Sequence, residues 1–203
     1  MARTQPESDT RERILCAALK LFAEMGYAGA CTKEIAREAG VAEVTLFRHF
    51  VSKDKLLEEV MSRFTFVSVM PQLLAEIAAL PCEEALTTLA GRFIDYLVLR
   101  KDWVRIMQAE MQRAPAKLFT VYHAFLDDLL GGFVACFRQL QQRGCLGDFD
   151  LEQGARMFHG ICFNYFNQEE LQGRKNYKST DRELVIREFV RIFLYGTCSR
   201  RSE

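Results

Sequence analysis

The chain has 203 residues, 49% hydrophobic and 27% charged, which suits one or two globular domains whose core needs no disulfide or metal staple. Those proportions exclude disordered, collagen-like and low-complexity classes. Its 27 Lys and Arg balance 27 Asp and Glu, so net charge gives no general attraction to nucleic acid or membrane and counts mildly against a strongly basic DNA binder.

Sixteen Phe against four Pro and twelve Gly favour a compact, helix-rich chain. The longest apolar run, Phe64 to Met70, is broken by Thr65 and Ser68 and falls far short of the roughly 18 residues a membrane span needs. Met1 to Arg13 is polar and lacks the apolar segment of a signal peptide, so no membrane association and a cytoplasmic location are expected. Seven cysteines, at 16, 31, 82, 136, 145, 162 and 198, include no C-x-x-C pair. Reduced, mostly buried thiols are the expectation.

The apolar period is helical nearly everywhere. Ile14, Leu15, Ala18, Leu21, Phe22 and Met25 form one stripe of a first helix, which Ser8 or Asp9 can cap and Gly26 can end. Short helices come next, from Thr32 to Ala39, stopping at Gly40, and from Glu43 to Phe50. Ser52 caps a fourth helix carrying Leu56, Leu57, Val60, Met61 and Phe64. Pro71, Pro81 and Pro115 punctuate the rest of the chain, where further helices are predicted over 83–100, 102–113, 116–142, 150–172 and 181–197. Loops are predicted at 144–148 and 173–178. No useful stretch alternates with period two, so the fold class is all-α. The division falls at 52–70: residues 1–55 form one domain, 71–203 another, and the fourth helix connects them.

Thr32 to Phe50 carries the most information. Two helices of two turns each flank Gly40-Val41-Ala42, where glycine takes a left-handed backbone without steric cost. Ile35, Ala39, Val41, Leu46 and Phe50 supply the buried side. Glu43, Val44, Phe47 and Arg48 remain exposed, with Thr45 and His49 at the edge. This is a helix-turn-helix arrangement, whose second helix lies in the major groove. A plain helical hairpin would share the turn, but it has no need of polar, aromatic and basic groups gathered on one exposed turn.

The segments I-L-x-A-A-L-x-L-F-A-E-x-G-Y (14–27), T-K-E-I-A-x-x-A-G-V (32–41), T-L-F-x-H-F (45–50) and S-K-x-x-L (52–56) together resemble the DNA-binding domain of the tetracycline-repressor (TetR) family. The resemblance implies that Thr32 and Lys33 contact phosphate and sometimes a base edge, that Glu43, Val44 and Thr45 read bases, and that Phe47, His49 and Lys53 fix register on the backbone. Phe47 stands where the family usually has Tyr, losing a hydroxyl. Cys31 and Ala42 replace customary capping residues. Residues 1–55 hold nine Lys/Arg against eight Asp/Glu, leaving Lys33, Arg48, Lys53 and Lys55 as a local basic rim if Glu24 and Glu38 face away. Modest affinity and a shallow salt dependence are expected.

Beyond residue 71, the aromatic and Met side chains either pack the core or line an apolar pocket between helices. Trp103, Met107, Met111, Phe125 and Phe163 are candidate lining residues, and His123, His159 and Asn167 are the polar groups placed to orient a small-molecule effector. The segment 155–166 is apolar on nearly every face, as in a helix buried all round. With 185–196 it could supply a dimer interface. TetR-like proteins typically dimerise this way, so the resemblance implies a homodimer through about 150–172 and 181–197 and a palindromic double-stranded DNA operator. The whole reading is a ligand-released repressor.

An enzyme is the competing class. G-x-S-x-G, H-E-x-x-H, Walker and Rossmann patterns are missing from the sequence, and no cofactor is expected. His159 and Cys162 lie three apart on one helix face, but no third group orients them. Three scattered histidines give no metal site. A helical interaction protein without DNA binding, or a regulator sensing redox state through Cys31 or Cys145, are further alternatives.

Overall fold

The computed structural model describes residues 5–63, 66–111 and 116–196. Among the described residues every regular element is helical, as the period required. The helices are α1 (Gln5–Gly29), α2 (Thr32–Glu38), α3 (Glu43–His49), α4 (Lys53–Arg63), α5 (Phe66–Ile77) and α6 (Cys82–Leu99), then α7 (Lys101–Met111), α8 (Ala116–Gln142), α9 (Leu151–Phe166), α10 (Arg174–Tyr177) and α11 (Arg182–Tyr195). The chain forms two compact units, one of residues 1–68 with 102–126, the other of 69–101 with 127–203.

The first unit is built on α1, which packs against α2 and α4. Its stripe of Ile14, Leu15, Ala18 and Phe22 is fully buried with Ile35, Leu46, Leu56 and Leu57. At Gly26 the backbone turns to φ 75°, ψ 169°, breaking α1 where the glycine was expected to end it. Met107 and Val121 complete this core, and Trp103, Met111, Tyr122 and Phe125 pack on it.

In the second unit α6 packs against α9 and α11. Its core is a lattice of phenylalanines in the offset and edge-on contacts that aromatic quadrupoles prefer. Ring centroids lie 5.2 Å apart for Phe93 and Phe133, 5.5 Å for Phe137 and Phe158, and 5.0 Å for Phe158 and Phe189. Asp150 and Asp181 cap α9 and α11, each side chain accepting two backbone N–H bonds.

Four expectations need correction. Ser8 and Asp9, expected to cap the first helix, lie inside α1, which begins at Gln5. Pro71 lies inside α5 rather than ending a helix. It is exposed, and its missing N–H forfeits one hydrogen bond while Phe66, Met70, Leu73 and Ile77 on the helix are buried. Residues 167–171 widen into a single π-turn, and the expected loop 173–178 holds the short α10. The thiols differ most: Cys82 and Cys145 form a disulfide across 63 residues of chain. Cys136 and Cys162 are buried, whereas Cys16 and Cys31 are exposed. Position 198, like Phe64 and Pro115, falls outside the described residues.

The disulfide ties the start of α6 to the turn after α8. Arg143 on that same turn donates to the carbonyls of Ile77 and Leu80, just ahead of α6. A closed loop of 63 residues corresponds to about 4 kcal/mol of lost unfolded-chain entropy. Reduction, or Cys82→Ser, is therefore expected to lower unfolding stability by up to about that amount, read from urea denaturation with and without reductant. A second prediction concerns His159, which burial holds below its ordinary 6.5, at about 4. The unfolded chain binds this proton at a pH where the folded chain does not. The contribution is thus full above pH 6.5 and falls by up to about 3 kcal/mol as pH drops towards 4. The difference between wild type and His159→Gln across that interval isolates it.

Candidate nucleic-acid interface

The helix-turn-helix starts from a tight reversal. Gly40 has φ +67°, the left-handed region that side chains resist, and a Cβ there would lie 3.1 Å from the Arg13 guanidinium. The backbone N–H groups of Gly40 and Val41 bond back to the carbonyls of Arg37 and Ala36, satisfying the end of α2 as a Schellman-type cap does. Arg13, from α1, donates through Nε and Nη2 to the Ala39 carbonyl at 3.1 and 2.5 Å, and through Nη2 to that of Gly40 at 3.1 Å. No sequence motif points to Arg13. Its i, i+4 pairing with Asp9 reads as an ordinary helix surface.

This fixes which side of α3 is free. Leu46 and Phe50 are buried, Val41 is partly so, and Val44 and Phe47 are 76% and 45% exposed. Arg48 is exposed, while Glu43, Thr45 and His49 are half-buried at the edge. Val51, not expected from the sequence, is 87% exposed just beyond the helix. The Nε2 of His49 is enclosed without a hydrogen-bond partner among the described residues. Cys31 and Ala42 give α2 and α3 no side-chain cap, each at a cost of about 1 kcal/mol.

The polar groups of the interface are pre-arranged. Thr32 donates to Oε1 of Glu43 at 2.6 Å, linking the first residues of α2 and α3. The Lys53 ammonium sits 4.4 Å from the centre of the Tyr27 ring, a cation–π contact that restrains a flexible side chain. Tyr27 donates to Asp54, and burial together with that carboxylate raises its pKa. Sequence reasoning misses Tyr27 and Asp54 as supports of Lys53; only the G-Y dipeptide at 26–27 marks the place. The Ser52 hydroxyl accepts from the Lys55 N–H at 3.2 Å, capping α4 as expected.

The basic rim is narrower than its four members suggest. Lys55 pairs with Glu58 at 2.5 Å, whereas Lys33 and Arg48 are exposed and carry no ion pair among the described residues. Glu38 is engaged by Lys20 at 2.5 Å.

The candidate effector residues fall into two groups. Trp103, Met107, Met111 and Phe125 belong to the first unit and its core. His123, in the same unit, is exposed and lies 4.1 Å from the Phe119 ring. In the second unit, His159 packs among Phe93, Phe133 and Phe163, stacking on the last at 5.5 Å. Asn167 starts the π-turn there. Burial also pushes the Cys162 thiol up to about 12, the opposite of an activated nucleophile. A separate cleft of about 530 Å³ in the second unit is lined by Thr87, Gly91, Asp95, Arg182, Ile186 and Arg187 among others. Its mixed charges suit no apolar molecule.

Comparison with known proteins agrees with this geometry. Residues 14–60 match the bacterial regulatory proteins of the tetR family, and 84–196 match the AefR-like transcriptional repressor C-terminal domain. The uncharacterised HTH-type transcriptional regulator YvkB of Bacillus subtilis is 29% identical over 161 residues, covering 77% of this chain and 81% of that protein. The HTH-type transcriptional repressor NicS of Pseudomonas putida is 30% identical over 110 residues, 53% of this chain and 51% of its own. The crystal structure of the transcriptional regulator FadR from Bacillus subtilis, in complex with stearoyl-CoA, superposes with a TM-score of 0.73 at 19% identity, covering 92% of this chain and 99% of that one. The chain belongs to the TetR family of bacterial regulatory proteins, and it is a DNA-binding transcriptional regulator rather than an enzyme.

Proposed function

We propose that the protein is a homodimeric repressor that holds a palindromic operator and is released from it by a small, largely apolar ligand. The observation that carries the DNA-reading part is the exposed side of α3, where Val44, Phe47 and Arg48 stand clear of the core; Lys33 is exposed on α2, and Lys53 is half-buried at the start of α4. In this reading residues 1–55 bind DNA, 52–70 connect, and 71–203 take ligand and partner. Lys33, Arg48, His49 and Lys53 set position on the backbone, and Glu43, Val44 and Thr45 face the bases.

Support for a homodimer comes from α9 and α11. The helix expected to be buried all round leaves Met157 and Ile161 exposed, one turn apart, and α11 leaves Leu184, Ile192 and Tyr195 exposed. A Cβ added to Gly160, on the same side of α9, would meet nothing within 4 Å. Apolar residues in such numbers on adjoining segments mark an interface, and a second copy offers the same surface in return. The FadR neighbour holds stearoyl-CoA, and a largely apolar ligand likewise suits an aromatic environment such as that of His159 and Phe163. For release, that ligand must favour a conformer whose recognition helices miss the operator spacing.

Selection of bound sequences from a random duplex library, at two salt concentrations, tests the whole. A palindrome is expected; sequence-blind binding would defeat the proposal. Three cations per protomer, Lys33, Arg48 and Lys53, give roughly six phosphate contacts per dimer and a log–log salt slope of about −5. Lys53→Ala is expected to weaken all sequences about equally and to shorten that slope by about one per protomer. Tyr27→Leu should weaken binding less, because it keeps the charge and loses only its restraint. Ile161→Asp is expected to shift the protein from dimer to monomer in sedimentation equilibrium while leaving its helical circular dichroism intact.

A further inference from the structure

We infer that Thr32 and Glu43 form one base-reading unit, in which Thr32 positions the Glu43 carboxylate to accept a hydrogen bond from a cytosine amino group. The inference rests on the DNA-reading role of α3 proposed above and adds to it the identity of one base and the function of one hydroxyl.

The geometry leaves little freedom. A threonine hydroxyl has one proton, and at 2.6 Å that proton points at Glu43 Oε1. While the bond stands, Thr32 cannot donate to a phosphate, the contact that the family resemblance implies for it. Its remaining lone pairs meet only repulsion from phosphate oxygens. Lys33, exposed beside it, is left to make the backbone contact. Glu43 differs: an ionised carboxylate is an acceptor with room for several bonds, and the Thr32 proton occupies one of them.

An oriented carboxylate discriminates strongly in the major groove. Guanine presents two acceptors there, thymine an acceptor and a methyl, and adenine an acceptor beside its amino group. Each of the first two repels an anion, and the third repels the second carboxylate oxygen. Cytosine presents an amino donor with no acceptor beside it on the same base. The orienting bond matters because a carboxylate free to rotate loses entropy on binding any base and distinguishes them less well.

Sequence selection with four proteins tests this. Wild type is expected to fix cytosine at one position of each half-site, by about tenfold over the other bases. Glu43→Gln should change that position to adenine, whose amino group and N7 match an amide. Thr32→Val keeps the side-chain shape and removes the proton; it should reduce discrimination several-fold there and nowhere else. Thr32→Ser should restore it. Uniform weakening by Thr32→Val with preferences unchanged would show a phosphate contact and overturn the inference, as would an unaltered base for Glu43→Gln. Loss of all selectivity in wild type would instead sink the DNA-reading role itself. Thermal melting of each variant separates misfolding from these outcomes.

Discussion

The proposed recognition surface hangs on one guanidinium. Arg13 reaches from α1 to the carbonyls of Ala39 and Gly40, groups that the end of a helix would otherwise leave without donors. Bonds from a charged donor are stronger than neutral ones, so this contact fixes the turn to the long helix that organises the core. Everything displayed by α3 depends on the direction in which the turn releases the chain. The left-handed Gly40 makes the reversal possible, and Arg13 holds it against the α1 scaffold. Two short helices, each lacking a side-chain cap, could not keep that angle from their own propensity.

Charge neutrality in the whole chain conceals a division of labour. Arg11 pairs with Glu59, Lys20 with Glu38, and Arg63 with Glu12, so the charges of α1 largely fasten it to α2 and α4. Exposed pairs of this kind stabilise little individually. Their effect here is to remove cations and anions together from the electrostatic field a duplex would meet. On the proposed DNA-reading side, Lys33 and Arg48 are exposed with no ion pair among the described residues, and Lys53 rests against the Tyr27 ring.

The first unit is legible in the sequence because its local signals agree: apolar spacing, a glycine at the reversal and a serine at the start of α4 all point one way. Buried Leu46 and Phe50 and free Val44 and Phe47 lie as the spacing requires, whereas Glu43, expected to be exposed, is half-buried where Thr32 holds it. The features that periodicity does not report act over distance in the chain. Arg13 lies 26 residues from Ala39, Tyr27 lies 27 from Asp54, and Cys82 lies 63 from Cys145. Pro71 misleads for a different reason. Proline usually ends a helix, but α5 buries four large apolar side chains around it, and packing outweighs one missing bond. The candidate effector residues show the limit of composition: Trp103 and Met107 read as apolar helix positions, yet composition cannot say which core they join.

Trp103 is the only tryptophan in the chain, and its ring lies 6.4 Å from Phe22 on the core of the first unit. The second unit, for all its phenylalanines, contains no indole. Light absorbed at the red edge of the protein spectrum therefore enters only through the unit that carries α3. Emission wavelength and quenching become a label-free reporter of that unit alone, set into the molecule by the placement of a single side chain.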